Sequence, residues 1–111
     1  MDKYVRLSDY KDKYPDVFKQ RMASFGCGEG WRGLVDRLVQ KAFDENFCIL
    51  QVKEKFGLLR IYVTLYTEEL SAFIQDLENE SSKICEECGS TDGVTTMGDW
   101  LKTYCKKCRN S

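Results

Sequence analysis

Two Cys-x-x-Cys pairs, Cys85-Glu86-Glu87-Cys88 and Cys105-Lys106-Lys107-Cys108, constrain this chain more than any other stretch. Pairs of this kind can supply four thiolates to one metal ion. Each short pair wraps one edge of the ion, and the segment between them carries the second pair back to the first. Zn²⁺ suits an all-sulfur tetrahedral cage, and iron occupies similar ones. A redox-active pair or two ordinary disulfides are the competing readings, and two pairs at this spacing favour the metal. Gly89, directly after Cys88, fits the tight turn of a metal knuckle, where positive φ is often needed. With cysteine in all four coordination positions, no position is left for water or substrate, so the expected role of the ion is structural.

Histidine is absent from the 111 residues, which removes the commonest general base and the commonest non-sulfur zinc ligand together. Hydrophobic residues make up 42% and charged residues 32%, with one proline, a globular composition. The net charge of −1 gives no global attraction to nucleic acid or acidic membranes, so any such affinity must come from a local patch. No apolar run reaches the roughly eighteen residues that would suggest a membrane span. The start, Met1-Asp2-Lys3-Tyr4-Val5-Arg6, lacks the apolar core of a signal peptide. The cysteines therefore read as metal ligands and buried thiols in a reducing cytoplasm.

Periodicity predicts an α+β fold: two N-terminal helices, a β-hairpin, a third helix and a C-terminal four-cysteine zinc ribbon or truncated treble clef. The first helix is expected over residues 8–24, with Tyr10, Tyr14, Val17, Phe18 and Met22 inward and Pro15 dividing it. Gly26-Cys27-Gly28-Glu29-Gly30 reads as a turn between helices, or as a place where another backbone comes close. As a phosphate loop it is weak, lacking a following Gly-Lys-Ser/Thr. A second helix, Trp31 to Glu45, presents Trp31, Leu34, Val35, Leu38, Ala42 and Phe43 on one face, with Trp31 beside the first helix.

The period then changes to two. Strands over residues 47–55 and 58–66 reverse near Phe56-Gly57, with Cys48, Leu50 and Val52 facing Leu59, Ile61, Val63 and Leu65. The third helix, Thr67 to about Lys83, has Thr67 as its cap and an acidic outer face. Two short strands, 94–97 and 100–104, join at Gly98-Asp99 between the cysteine pairs. Residues 1–83 thus form an α+β core, and 84–111 a zinc-binding module packed on it. So small a hairpin buries too little apolar surface to fold alone, so its folding is coupled to the metal.

Several pieces together carry a resemblance: Lys13-Tyr14-Pro15 with Phe18, Cys27-Gly28-Glu29-Gly30-Trp31 with Leu34, and Gln51 through Tyr62. With Trp100 and the cysteine pairs, the chain resembles a family of small bacteriophage and prophage proteins. That family carries a Lys-Glu-Lys-Phe-Gly-Gly-Leu-Arg-Phe-Tyr block and a zinc-ribbon-like end. Here Leu58 stands at the second glycine of the block and Ile61 at its second phenylalanine. The resemblance implies a phage-type origin and a fold, and assigns no reaction.

For function, Lys53, Lys55, Arg60 and Tyr62 on the outward hairpin face form the candidate binding patch. Two lysines and an arginine beside aromatics suit a phosphate, a nucleic acid strand or an acidic protein surface. The plainer reading is a solvated sheet face, or ion pairs to the acidic third helix. Catalysis would need paired carboxylates or an activated thiol. Cys27 is the one cysteine with a claim to exposure there, and no enzyme is expected. The leading expectation is an accessory protein that binds a host protein, perturbing a defence or replication factor. Nucleic acid binding through the hairpin face and Lys102, Lys106, Lys107 and Arg109 is the alternative. A third is an oligomer sequestering a phosphate-bearing small ligand at the glycine-rich turn and Arg60.

Overall fold

The fold is seen in a computed structural model, which describes residues 4–19, 24–97 and 101–109. It is mixed α/β. Strand β1 (Tyr4–Val5) and helix α1 (Ser8–Lys11) lead, through turns, to β2 (Ser24–Gly28) and a 3-10 turn (Glu29–Trp31). Helix α2 (Arg32–Glu45), β3 (Ile49–Lys55), β4 (Leu58–Val63) and α3 (Glu68–Ser81) follow. The cysteine region adds β5 (Thr95–Met97), β6 (Lys102–Tyr104) and a short α4 (Lys106–Arg109). The first sheet runs β1-β2-β3-β4, with β2 parallel to β3 and the other pairs antiparallel; β5 and β6 form a separate pair.

The long first helix is not formed. Regular helix ends at Lys11, because Pro15 has no N–H to donate and disfavours helical backbone in the residue before it. Turns continue instead: Tyr14 N–H donates to Tyr10 O at 2.8 Å and Val17 N–H to Tyr14 O at 3.1 Å. The expected inward residues still reach the core, where Tyr10, Val17 and Phe18 are buried and Tyr14 is partly so. Met22 lies outside the described residues.

The larger correction concerns the glycine-rich stretch. It is a strand, not an interhelical turn, pairing with β3 in parallel through Ser24↔Gln51, Phe25↔Val52 and Gly26↔Lys53. A parallel pair needs a crossover, and α2 supplies it. Leu34, Val35, Leu38, Val39 and Ala42 bury the inward side of that helix. Phe43, expected on this face, is exposed and meets Tyr14 edge-on at 5.5 Å. The helix stops at Asn46, whose left-handed φ of 57° lets its N–H return to Ala42 O.

The hairpin register places Val52 opposite Ile61 inside, and Lys53 opposite Arg60 outside. An irregularity between Ile49 and Gln51 breaks strict alternation, so Ile49 is buried in place of Leu50, which is only half-buried. The turn has two residues, Phe56 (φ 53°) and Gly57 (φ 83°), the paired positive φ values of a type I′ hairpin. A bulky side chain at the first of these positions is unusual.

Helix α3 begins as expected, with Thr67 accepting from Leu70 N–H at 3.1 Å. It also covers the free edge of β4. Leu59 N–H donates to Ser81 Oγ and Ile61 N–H to Glu78 Oε2, both at 3.0 Å. Those N–H groups would otherwise template pairing with another chain.

Candidate metal centre and binding face

Only Ser82 and Lys83 separate the end of α3 from Ile84 and Cys85, so the first cysteine pair is delivered by a packed helix rather than a long linker. Gly89 turns the chain with φ 84°, its N–H bonded to Cys85 O at 2.9 Å, while Cys85 N–H donates to Ser90 O at 2.8 Å. The second pair stands at the start of α4, after the β5–β6 hairpin. Glu86 N–H bonds to Thr103 O at 2.9 Å and ties the two halves together. The expected joint at Gly98-Asp99, with Trp100, lies outside the described residues.

The four Sγ atoms of Cys85, Cys88, Cys105 and Cys108 lie within 4.8 Å of one another, and those of Cys88 and Cys105 are 3.6 Å apart. Four thiolates bound tetrahedrally at about 2.3 Å from an ion stand about 3.8 Å apart, whereas a disulfide needs about 2.0 Å. None of the four is in a disulfide, and the cluster can hold a metal ion. Cys85 and Cys105 are buried, Cys108 is partly so and Cys88 is exposed, which leaves one side open to ion entry. The Cys108 N–H donates to the Cys105 sulfur at 3.4 Å and holds that thiol below its ordinary range, at about 7. Burial pushes the Cys108 thiol upward. Crowded sulfurs resist a second negative charge; a divalent cation reverses that and ionises all of them.

The module sits on the end of β2 and the 3-10 turn that follows it, a close backbone approach that the glycines foreshadow. Gly30 N–H donates to Glu86 O at 2.7 Å and Gly28 N–H to Glu86 Oε2 at 3.0 Å. A Cβ at Gly30 would overlap the Cys85 carbonyl oxygen, and one at Gly28 the Glu86 carbonyl. Backbone contact this close is available only to glycine. Trp31, expected beside the first helix, is buried with its indole N–H on Ile84 O at 2.9 Å. In the sequence Glu86 is no more than a spacer between two cysteines, yet its carboxylate is buried. That burial raises its pKa against the Gly28 N–H that lowers it.

A second seat lies at the hairpin tip. Thr103 Oγ1 donates to Gly57 O and pairs with Thr96 Oγ1 at 2.6 Å; Lys102 Nζ reaches Glu54 at 3.0 Å. Lys102, expected as a free tail cation, is therefore an ion-pair partner. Lys106 and Lys107 are exposed.

Cys27 is not exposed. It is fully buried, and burial pushes its thiol up to about 12, which leaves no thiolate at neutral pH. The N–H groups of Gly28 and Gly30 are already bonded, so the stretch does not offer them to a phosphate.

The four patch residues share the outward face, in cross-strand pairs Gln51↔Tyr62, Lys53↔Arg60 and Lys55↔Leu58. Tyr62 is 43% exposed, with Lys53 Nζ 5.7 Å from its ring centre. Lys55 Nζ lies 5.7 Å from the ring of Phe56, itself 65% exposed. Arg60 is half-buried and reaches Glu78 of α3 only at 3.8 Å, so the expected ion pairing to the third helix is present but loose. Among the described residues no helix is long and apolar enough to cross a membrane. No family model, curated protein or solved structure matches this chain.

Proposed function

We propose that this chain is a small, zinc-stabilised binding protein of phage type. In this reading it engages and modulates a macromolecule of the host cell through the outward sheet face and catalyses no reaction. The observation that carries it is the gathering of Lys53, Lys55, Arg60 and Tyr62 on the outward side of the β3–β4 hairpin. Three cations on that face complement a negatively charged partner although the whole chain is near neutral. A host protein with an acidic surface and a nucleic acid both present that charge.

Zinc is the ion favoured by four sulfur donors with no oxygen or nitrogen ligand among them. The module order, a knuckle, then β5–β6, then cysteines opening a short helix, supports a truncated treble clef over a ribbon. With four cysteines on the ion, the metal holds the module in shape and contributes no open position for chemistry. Cys85, Cys88, Cys105 and Cys108 would hold it, and Gly28, Gly30 and Trp31 fix the first knuckle against the sheet.

The test is affinity capture from host lysate with metal-loaded protein, beside an Arg60→Glu control that keeps its metal. A partner retained by the parent and lost by the control supports the reading. Equal retention by both would move the contact elsewhere, and a turnover assay yielding a product would end the non-catalytic claim.

A further inference from the structure

The sheet face offers more than charge. Its rows run Gly26–Lys53–Arg60 across β2, β3 and β4, by the parallel register on one side and the antiparallel register on the other. Gly26 is exposed, and a Cβ placed there would meet no atom of the described residues within 4 Å, so β2 adds an open backbone floor beside the lysines. Lys53 and Lys55 alternate along one strand, about 7 Å apart at the usual strand rise. Each has an aromatic ring for a neighbour, Tyr62 and Phe56.

We infer that this face is a short platform for single-stranded nucleic acid, with Lys53, Lys55 and Arg60 meeting phosphates and the exposed Tyr62 ring stacking on a base. The inference rests on the binding function proposed above and names the partner class for that same face.

Cations interleaved with exposed rings on an open sheet are the chemistry that single strands require: charge for the backbone, a π-face for unpaired bases. A protein partner would want an apolar centre rimmed by charge. Here the centre of the face is the Lys53–Arg60 pair, and Leu58, at the turn end, is only half-buried. A duplex is read by a helix or ribbon in a groove, whereas a nearly flat face carrying an exposed ring suits splayed bases. Direction follows from charge. Glu78 stands at the β4 edge, where it loosely engages Arg60, and the rest of α3 is acidic. A polyanion is repelled from that side and lies over β3 toward Gly26.

The experiment is fluorescence anisotropy of a labelled oligothymidylate and a labelled oligouridylate with the metal-loaded chain, titrated over salt. A labelled polyglutamate and a random-sequence duplex serve as competitors. Binding of either single strand with a log–log salt slope of about −2 is expected for three phosphate contacts. Tyr62→Ala should weaken binding about tenfold or more, and Tyr62→Phe, which keeps the ring, should restore it. Lys53→Ala with Lys55→Ala should flatten the slope to about −0.7, for one remaining contact. All three positions are on the surface, and metal content with circular dichroism establishes that each variant is folded. Polyglutamate binding as tightly as the oligonucleotides, with no dependence on Tyr62, would overturn the nucleic acid inference and leave the binding function standing. Tighter binding of the duplex would overturn it too. No binding of any polyanion would remove both.

Discussion

Leu38, Val52 and Leu59 are fully buried where α2 meets the sheet, in one cluster with Val35, Ile49 and Val63. Between Ile84 and Arg109, by contrast, the buried side chains among the described residues are Cys85, Glu86, Thr103 and Cys105. Two would be metal ligands, one is a carboxylate and one a hydroxyl. The first region coheres by removing apolar surface from water, which is non-directional and tolerates adjustment. The second has almost no such surface. It depends on four sulfurs meeting at a point and on hydrogen bonds to Gly28, Gly30, Gly57 and Trp31. What the difference teaches is that stability and shape can be divided along one chain. The core is held by apolar burial, and the module by a sulfur cluster that can hold an ion and by its seat on the core.

The largest effect should come from withdrawing the ion. A strong chelator under reducing conditions is expected to expose the amides of Cys85 and Glu86 to hydrogen exchange while those of α2 and β3 stay protected. Structural zinc supplies about 10–16 kcal/mol of apparent binding energy in zinc-finger peptides, far more than the few buried side chains among the module's described residues would replace. Simultaneous loss of protection in α2 would break the comparison, by making core and module one cooperative unit.

Next in size is Leu38→Ala, which leaves a cavity in the apolar cluster and should cost about 2–5 kcal/mol in urea unfolding. Metal stoichiometry should not change. Should the variant lose its metal instead, the two regions are more tightly coupled than their contents imply.

A pair of glycine substitutions probes the seat. Gly30→Ala drives a methyl into the Cys85 carbonyl and is expected to destabilise by about 1–3 kcal/mol and to weaken metal affinity. Gly33→Ala, three residues on in α2 where an added Cβ meets none of the described residues, should stabilise by about 1 kcal/mol. Equal effects at both positions would mean that the first knuckle does not rest on Gly30.

The smallest effect concerns Arg32, which binds Asp9 at 2.7 Å and Glu29, clamping α1 to the start of α2. Hydrogen bonds from Arg32 hold both carboxyls below their ordinary range. Depressed carboxyl pKa values contribute stability above the unfolded values, about 4. That contribution is lost as pH falls through the lower folded values. The groups are about one-third exposed, so the contribution is below about 1 kcal/mol. Arg32→Gln should lower stability slightly near neutral pH and make its fall in acid shallower. An unchanged acid slope would show that the clamp is electrostatically idle.

Legibility follows the range of the interaction. Helices α2 and α3 and the β3–β4 hairpin are readable because their periods repeat locally, and Thr67 caps in its own first turn. The cysteine spacing likewise announces a four-sulfur cluster. The glycine-rich strand is not readable as a strand, since its pairing with β3 and its contact with Glu86 join residues far apart in the chain. Its glycines answer to a carbonyl that no local window contains. Alternation puts Leu50 inward because it carries no mark of the irregularity beside it. Cys27 looks exposed for a related reason: glycine neighbours suggest a loop, whereas its pairing with Val5 of β1 places it in the apolar core. Pro15 is plain in the sequence, and its power to end a helix outweighs the apolar spacing around it.

X-ray absorption at the zinc edge of the purified, reduced protein tests the central claim most directly. One equivalent of zinc with four sulfur neighbours at about 2.3 Å is the expected result. A shell containing oxygen or nitrogen, or a metal-free protein whose module stays protected from exchange, would contradict it.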